Sequence, residues 1–162
     1  MGNRAVITTN KNLGMEIGVY LHWNGGRDSV EAFLAYCDLK GYRKPEEDSY
    51  GYAMLINVIS NYFGSGLSCD VNVCIRLDCD NWDNGVYIIK NWRIIDRMYF
   101  KGEEQDEWNF LSMINEIDAK QPEHMQLTRE ERKRINEVYE DVKKYRKPII
   151  KRDAKGRFMK KD

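Results

Sequence analysis

Residues Gly18 to Val30 constrain the fold most, because an apolar strand through Val19, Tyr20 and Leu21 passes Gly25-Gly26 straight into a helix start. Strand, paired glycines and helix place backbone amides where they can face a ligand. The same stretch carries His22, Trp23, Asn24 and Arg27, side chains that stack on a base, read its edge or hold a phosphate. Asp28 works against a phosphate there, since a carboxylate at the helix start takes the amides that the phosphate needs. The plainer reading is a turn in which Trp23 is core and the glycines supply positive φ.

Apolar periodicity on either side predicts an α+β chain. Strands are expected over 4–9 and 16–23 as a hairpin, then over 67–76, 85–90 and 92–100. They make an antiparallel sheet of about five strands, with two helices inserted after the first hairpin and two C-terminal helices. The first helix has Asp28 and Glu31 at capping-box spacing, Val30, Phe33, Leu34 and Cys37 on one face, and Gly41 at its end. The second starts near Asp48, buries Leu55, Val58, Ile59 and Tyr62, and stops at Gly64. A third is expected over 103–120, and a fourth over 128–146, capped by Thr128 with Glu131. The fourth helix has a narrow apolar stripe, Ile135, Val138, Tyr139, Val142 and Tyr145, suited either to a seam between subunits or to a place on its own sheet. The expected organisation is a core domain over 1–121, an oligomerisation helix over 122–146 and a basic flexible tail over 147–162.

Charge and cysteine usage narrow the function classes. Lysine plus arginine and aspartate plus glutamate are equal at 26 each, so no overall field holds DNA or an anionic membrane non-specifically. Residues 147–162 carry seven basic and two acidic residues, leaving the body mildly acidic. Such a tail can touch nucleic acid in a salt-sensitive way, but nucleic acid is not an expected partner. Its phrase Arg152-Asp153-Ala154-Lys155-Gly156-Arg157-Phe158 resembles the tails of small phage and mobile-element proteins. Cysteines 37, 69, 74 and 79 form no Cys-x-x-Cys pair and the N-terminus has no apolar signal segment, which reads as reduced thiols in a cytoplasm. No apolar run approaches the ~20 residues of a membrane span.

Asp78 to Gly85 is dense in oxygen ligands, yet Trp82 falls where a calcium loop needs its fifth position to ligate. A polar inter-strand loop is the simpler account, with an exposed Trp82 beside Asn81 and Asn84 as a stacking platform for a base. Cys69, Cys74 and Cys79 recur every five residues and would alternate faces on a strand, so zinc is not expected, nor is any cofactor. No nucleophile elbow and no Cys-His or Ser-His arrangement is present, which points away from catalysis.

The blocks Asn3-Arg4-Ala5-Val6-Ile7, Gly18 to Phe33, Tyr50-Gly51-Tyr52-Ala53, Asn61-Tyr62-Phe63-Gly64 and Asp83-Asn84-Gly85-Val86-Tyr87 look like a family of small proteins from phages and prophages of Firmicutes. Within that group the chain resembles the first anti-Thoeris sponge family, over residues 3 to about 121. The resemblance implies a symmetric, non-catalytic oligomer with an antiparallel sheet and C-terminal helices at the subunit contacts. It implies capture, in the cytoplasm of the bacterial host, of the cyclic ADP-ribose isomer made by a TIR enzyme, or of cyclic oligonucleotides.

The family's ligand residues do not map onto this sequence by spacing. Candidate ligand-binding residues therefore come from local chemistry: Trp23, Asn24, Arg27, Arg43, Trp82, Asn84, Arg93 and Arg97. The expected partners are a small nucleotide and a second copy of the chain. A competing reading is a protein that inhibits a host or defence protein by direct contact, its acidic surface around Glu103, Glu104, Asp106 and Glu107 imitating phosphates.

Overall fold

A computed structural model describes residues 2–146 and residue 155. The expected basic tail therefore lies outside the described residues, save Lys155. Five strands, β1 (Ala5–Thr8), β2 (Ile17–Leu21), β3 (Cys69–Val73), β4 (Val86–Lys90) and β5 (Arg93–Met98), form one sheet in the order β3-β2-β1-β4-β5. Five helices accompany them: α1 (Arg27–Leu39), α2 (Tyr50–Phe63), α3 (Phe110–Lys120), α4 (Arg129–Lys133) and α5 (Ile135–Lys144). The chain is α+β as expected, but its sheet is mixed: β1 and β4 run parallel, while the other three pairings are antiparallel. A parallel neighbour needs a crossover of about a dozen residues. Residues 74–85 lead from β3 to β4 with only a single 3-10 turn, Cys74–Arg76, crossing the face of the sheet opposite the long helices.

That crossover builds a second, smaller core. Val6, Val86 and Ile88 point to its side of the sheet and are covered by Cys74, with Leu77 and Cys79 packed around them. The opposite face, through Ile7, Val19, Leu21, Tyr87 and Ile89, packs on the helices. Because both faces are covered, β1 is buried at all four positions. The β4–β5 hairpin turns through Asn91 (φ 51°) and Trp92 (φ 60°), the paired left-handed conformation that matches strand twist in a two-residue turn. Trp92 is buried in this turn and donates its indole N–H to Tyr42 O at 3.1 Å.

The single apolar face expected of α1 is a correction. Every residue from Arg27 to Leu39 except Asp38 is buried, because the helix lies between the sheet and the other helices. Ala32 and Ala35 let neighbours approach the side that periodicity left polar. The capping box of Thr128 with Glu131 does form, at the start of α4. The predicted fourth helix breaks at Arg134 into α4 and α5.

Most of its stripe packs within the chain. Ile135, Val138 and Val142 enter the same core as Ala5 and Val30, and Tyr139 stacks on Phe110 with ring centroids 4.4 Å apart. Residues 122–146 thus complete the core of 1–121 instead of standing apart from it. Asp118 fastens this end: its Oδ1 accepts from Tyr36 Oη and from Leu127 N, both at 2.8 Å, and its Oδ2 pairs with Arg132.

The predicted third helix is shorter than expected. It begins at Phe110, with the Asn109 side chain accepting from Ser112 N, and residues 101–109 form an exposed strap without helix or strand. The run Glu103-Glu104-Gln105-Asp106-Glu107 has no apolar side to bury, so tertiary contacts decide its path.

Candidate ligand site beside the 101–109 strap

Gly25-Gly26 forms the expected corner between β2 and α1, for a steric reason. Gly25 N donates to Asn3 O at 2.8 Å, and a Cβ on Gly25 would stand 2.5 Å from that same oxygen. Gly26, not Asp28, is the residue at the helix N-cap. The predicted Asp28–Glu31 capping box is therefore replaced by two other contacts. Asp28 Oδ1 accepts from Ser29 N, and Oδ2 accepts from Glu107 N and Trp108 N, each at 2.7 Å. Asp28 thus clamps the strap across the start of α1, and no phosphate cradle of helix amides is left open there.

The strap separates two clefts. On one side Trp23, Asn24, Asn3, Tyr62 and Trp108 line a cleft of about 430 Å³. Trp23 is 44% exposed, edge-on to His22, so the indole is available rather than core. Asn24 adopts φ 56° and points its Nδ2 at Tyr62 Oη (3.4 Å) and Ser29 Oγ (3.5 Å). This cleft is aromatic and polar, with Asp28 and Glu107 on its wall and no arginine among its lining residues.

On the other side Arg27, Arg97 and Arg146 converge on a cleft of about 370 Å³ floored by Ile94, Ile95 and Tyr145. Arg27 is buried and donates through Nη2 to Tyr145 O at 3.2 Å. Arg97 lies with its guanidinium carbon 4.1 Å from the Tyr87 ring centroid and 3.8 Å from that of Phe100. It donates through Nη2 to Asn84 O at 2.9 Å and pairs through Nη1 with Glu104. Arg146 binds Glu31 through Nε (2.8 Å) and Nη2 (2.7 Å) and reaches Asp106 at 3.4 Å. Burial pushes the Glu31 carboxyl above its ordinary range, with Arg146 and Arg27 opposing the rise.

Two guanidinium nitrogens of these arginines, Nε of Arg27 and Nε of Arg97, are buried with no hydrogen-bond partner among the described residues. Glu31 Oε1 is 3.4 Å from the former, an ion-pair distance outside hydrogen-bond geometry. Buried donors usually find a partner, so two unsatisfied ones on arginines of one cleft are an exception.

The eight expected site residues divide accordingly. Trp23 and Asn24 share the aromatic cleft, and Arg27 and Arg97 share the arginine cleft. Arg93 is a correction: it is 6% exposed and bridges Asp38 and Asp141 at 2.8 Å each, pinning β5 to α1 and α5. Asn84 is buried, with Nδ2 on Asn3 Oδ1 and Arg4 O, and lines neither cleft. Arg43 pairs with Asp48 at 2.7 Å over Tyr50 and lines neither cleft.

Trp82 is 88% exposed, as expected of a platform, but it too lines neither cleft. Its loop is organised by buried Asn81, which bonds Asp78 O and Gly85 O, while Arg4 holds Asp83 at 2.7 Å. Burial works to raise the Asp83 carboxyl; the Arg4 hydrogen bonds outweigh it and leave the group below its ordinary range.

Sequence reasoning missed Arg146, Tyr62 and Trp108. Tyr62 was visible only as a helix-face residue, and Arg146 sits one residue past an amphipathic stripe that gave no reason to choose it. No family model, no curated protein and no solved structure matches this chain, so the chemistry of the two clefts carries the functional reading.

Proposed function

We propose that this chain binds a small anionic, aromatic molecule of the nucleotide class and releases it unchanged. The observation that carries the reading is the convergence of Arg27, Arg97 and Arg146 on one cleft, with two buried Nε–H groups that have no hydrogen-bond partner among the described residues. Guanidinium forks match phosphoryl oxygens, and the exposed faces of Trp23 and Trp108 across the strap suit a base. No residue of either cleft forms a nucleophile–base pair of the kind covalent catalysis needs.

With the resemblance to anti-Thoeris sponges, the proposed role is sequestration of a nucleotide immune signal, a cyclic ADP-ribose isomer or a cyclic oligonucleotide, in a phage-infected host. A sponge acts by mass action and must bind below the micromolar range, which corresponds to more than about 8 kcal/mol. The protein-inhibitor reading is supported by the full exposure of 101–109, but Glu104 and Asp106 are turned onto Arg97 and Arg146, which leaves half of the acidic cluster unavailable to a partner.

The test is equilibrium dialysis of purified protein against ADP-ribose, its cyclic isomers and cyclic dinucleotides, followed by mass analysis of what is retained. Retention of an intact nucleotide supports the proposal. Retention of none at micromolar concentration, or recovery of a cleaved product, overturns it.

A further inference from the structure

The strap meets the arginine cleft through charge alone. From Lys101 to Asn109 every residue is exposed, and no helix or strand fixes the segment. Its links to this cleft are Glu104 on Arg97 and Asp106 on Arg146. The cationic partners, by contrast, are fixed independently of the strap. Arg97 rests on two aromatic rings and on Asn84 O, Arg27 on Tyr145 O, and Arg146 on buried Glu31. Guanidinium groups fixed from one side and met by carboxylates on a segment without regular structure are the arrangement of a binding site occupied by its own chain.

The carboxylates also fit incompletely. Glu104 engages Nη1 of Arg97 and leaves its Nε without a hydrogen bond, and Nε of Arg27 makes none either, with Glu31 Oε1 3.4 Å away. A carboxylate has two oxygens in one plane, whereas a phosphoryl group presents three in a tetrahedral array and a diphosphate more, a closer match in number to the donors of three guanidinium groups. With the strap in place three arginines face Asp96, Glu104 and Asp106 in the lining and Glu31 behind it; with the strap lifted, Glu31 remains on Arg27 and Arg146, and Asp96 remains paired with Lys11.

Resting on the nucleotide-binding reading above, we infer that Glu104 and Asp106 are stand-ins for the ligand's phosphoryl groups, and that a diphosphate-bearing ligand binds between Arg27, Arg97 and Arg146 by displacing the 101–109 strap. Asp28, which holds the strap at Glu107 and Trp108, then acts as its hinge anchor. Trp108, held by that anchor, stays in the aromatic cleft while the residues before it move aside for the diphosphate.

The test compares wild type with the double variant Glu104→Gln/Asp106→Asn by calorimetric titration with inorganic pyrophosphate and, separately, with ADP-ribose. Removing the internal competitor raises the fraction of open sites, and both probes are expected to bind the variant about tenfold tighter than wild type. Arg97→Gln is expected to lose binding of both. In wild type, hydrogen exchange across 101–109 is expected to accelerate when ADP-ribose is added.

Pyrophosphate gain alone assigns the cleft to a free diphosphate; gain with ADP-ribose as well assigns it to the diphosphate of a nucleotide, and either supports the inference. Equal or weaker binding by the double variant, or a strap that becomes more protected with ligand, overturns the stand-in role while leaving nucleotide capture intact. Absence of binding to every protein tested overturns both.

Discussion

Replacing Asp28 by Asn removes one acceptor oxygen from the joint between α1 and the strap without changing its volume. The native carboxylate serves two directions, with Oδ1 on Ser29 N and Oδ2 on Glu107 N and Trp108 N, all at 2.7 Å. An amide has one carbonyl oxygen and one NH2. Turned toward Ser29, it loses both strap bonds; turned toward the strap, it sets a donor against the Ser29 N–H. Hydrogen bonds to a charged acceptor contribute about 1.5–3 kcal/mol each. Turned toward the strap, the neutral amide oxygen keeps both strap bonds, but each falls from the charged to the neutral range by about 1 kcal/mol, so the strap is held about 2 kcal/mol less tightly.

If that cost falls on strap opening, the Glu107 and Trp108 amides exchange about 30-fold faster than in wild type. Hydrogen exchange resolved over 101–109 reads this directly, and trypsin cleavage after exposed Lys101 reads it independently. Asp28 is 7% exposed, yet the loss is local, so the melting temperature falls by only a few degrees, at about 2–4 °C per kcal/mol for a chain this size. Exchange within about threefold of wild type at both amides would refute the reasoning that this carboxylate anchors the strap.

Further expected outcomes concern packing and charge. Gly25→Ala sets a Cβ 2.5 Å from Asn3 O and should destabilise by more than about 2 kcal/mol in urea unfolding, whereas Gly14→Ala, with open space around it, should stay within about 0.5 kcal/mol. Arg93→Ala should cost about 2 kcal/mol, below the range for a fully buried pair because Asp141 is half exposed, and should leave nucleotide retention unchanged when assayed at a temperature where the variant is folded. Burial tends to raise the Glu131 carboxyl, but Thr128 N–H and Lys40 hold it below its ordinary 4.5. Its stabilising effect relative to Glu131→Gln is therefore full above pH 4.5 and shrinks as pH falls through the lowered folded value. Urea midpoints for both proteins between neutral and acid pH check this, and a gap that widens toward acid would contradict it.

What could be read in the chain was whatever depends on near neighbours. The periodicity of Leu55, Val58 and Ile59, the Thr128–Glu131 cap and the turn after Lys90 each rest on residues within about one or two helical turns or a single hairpin, and they stand where expected. The candidate site was half legible for the same reason. Trp23, Asn24 and Arg27 lie together in sequence, and their chemical character was plain. Their partners were not: Arg97 arrives from β5, Arg146 from beyond α5, and Tyr62 and Trp108 from α2 and the strap.

Sequence alone determined the element types, because helix and strand periods are local properties of the apolar pattern. Only the tertiary structure decided that β4 runs parallel to β1, that α1 is enclosed on every side, and that Asp28 serves the strap instead of its own helix. It likewise turned Arg93 into a pin and Arg97 into a cleft wall. Both residues lie on one strand and carry the same charge; which carboxylates and rings surround each is set by chain crossings many residues away, and no local pattern encodes those.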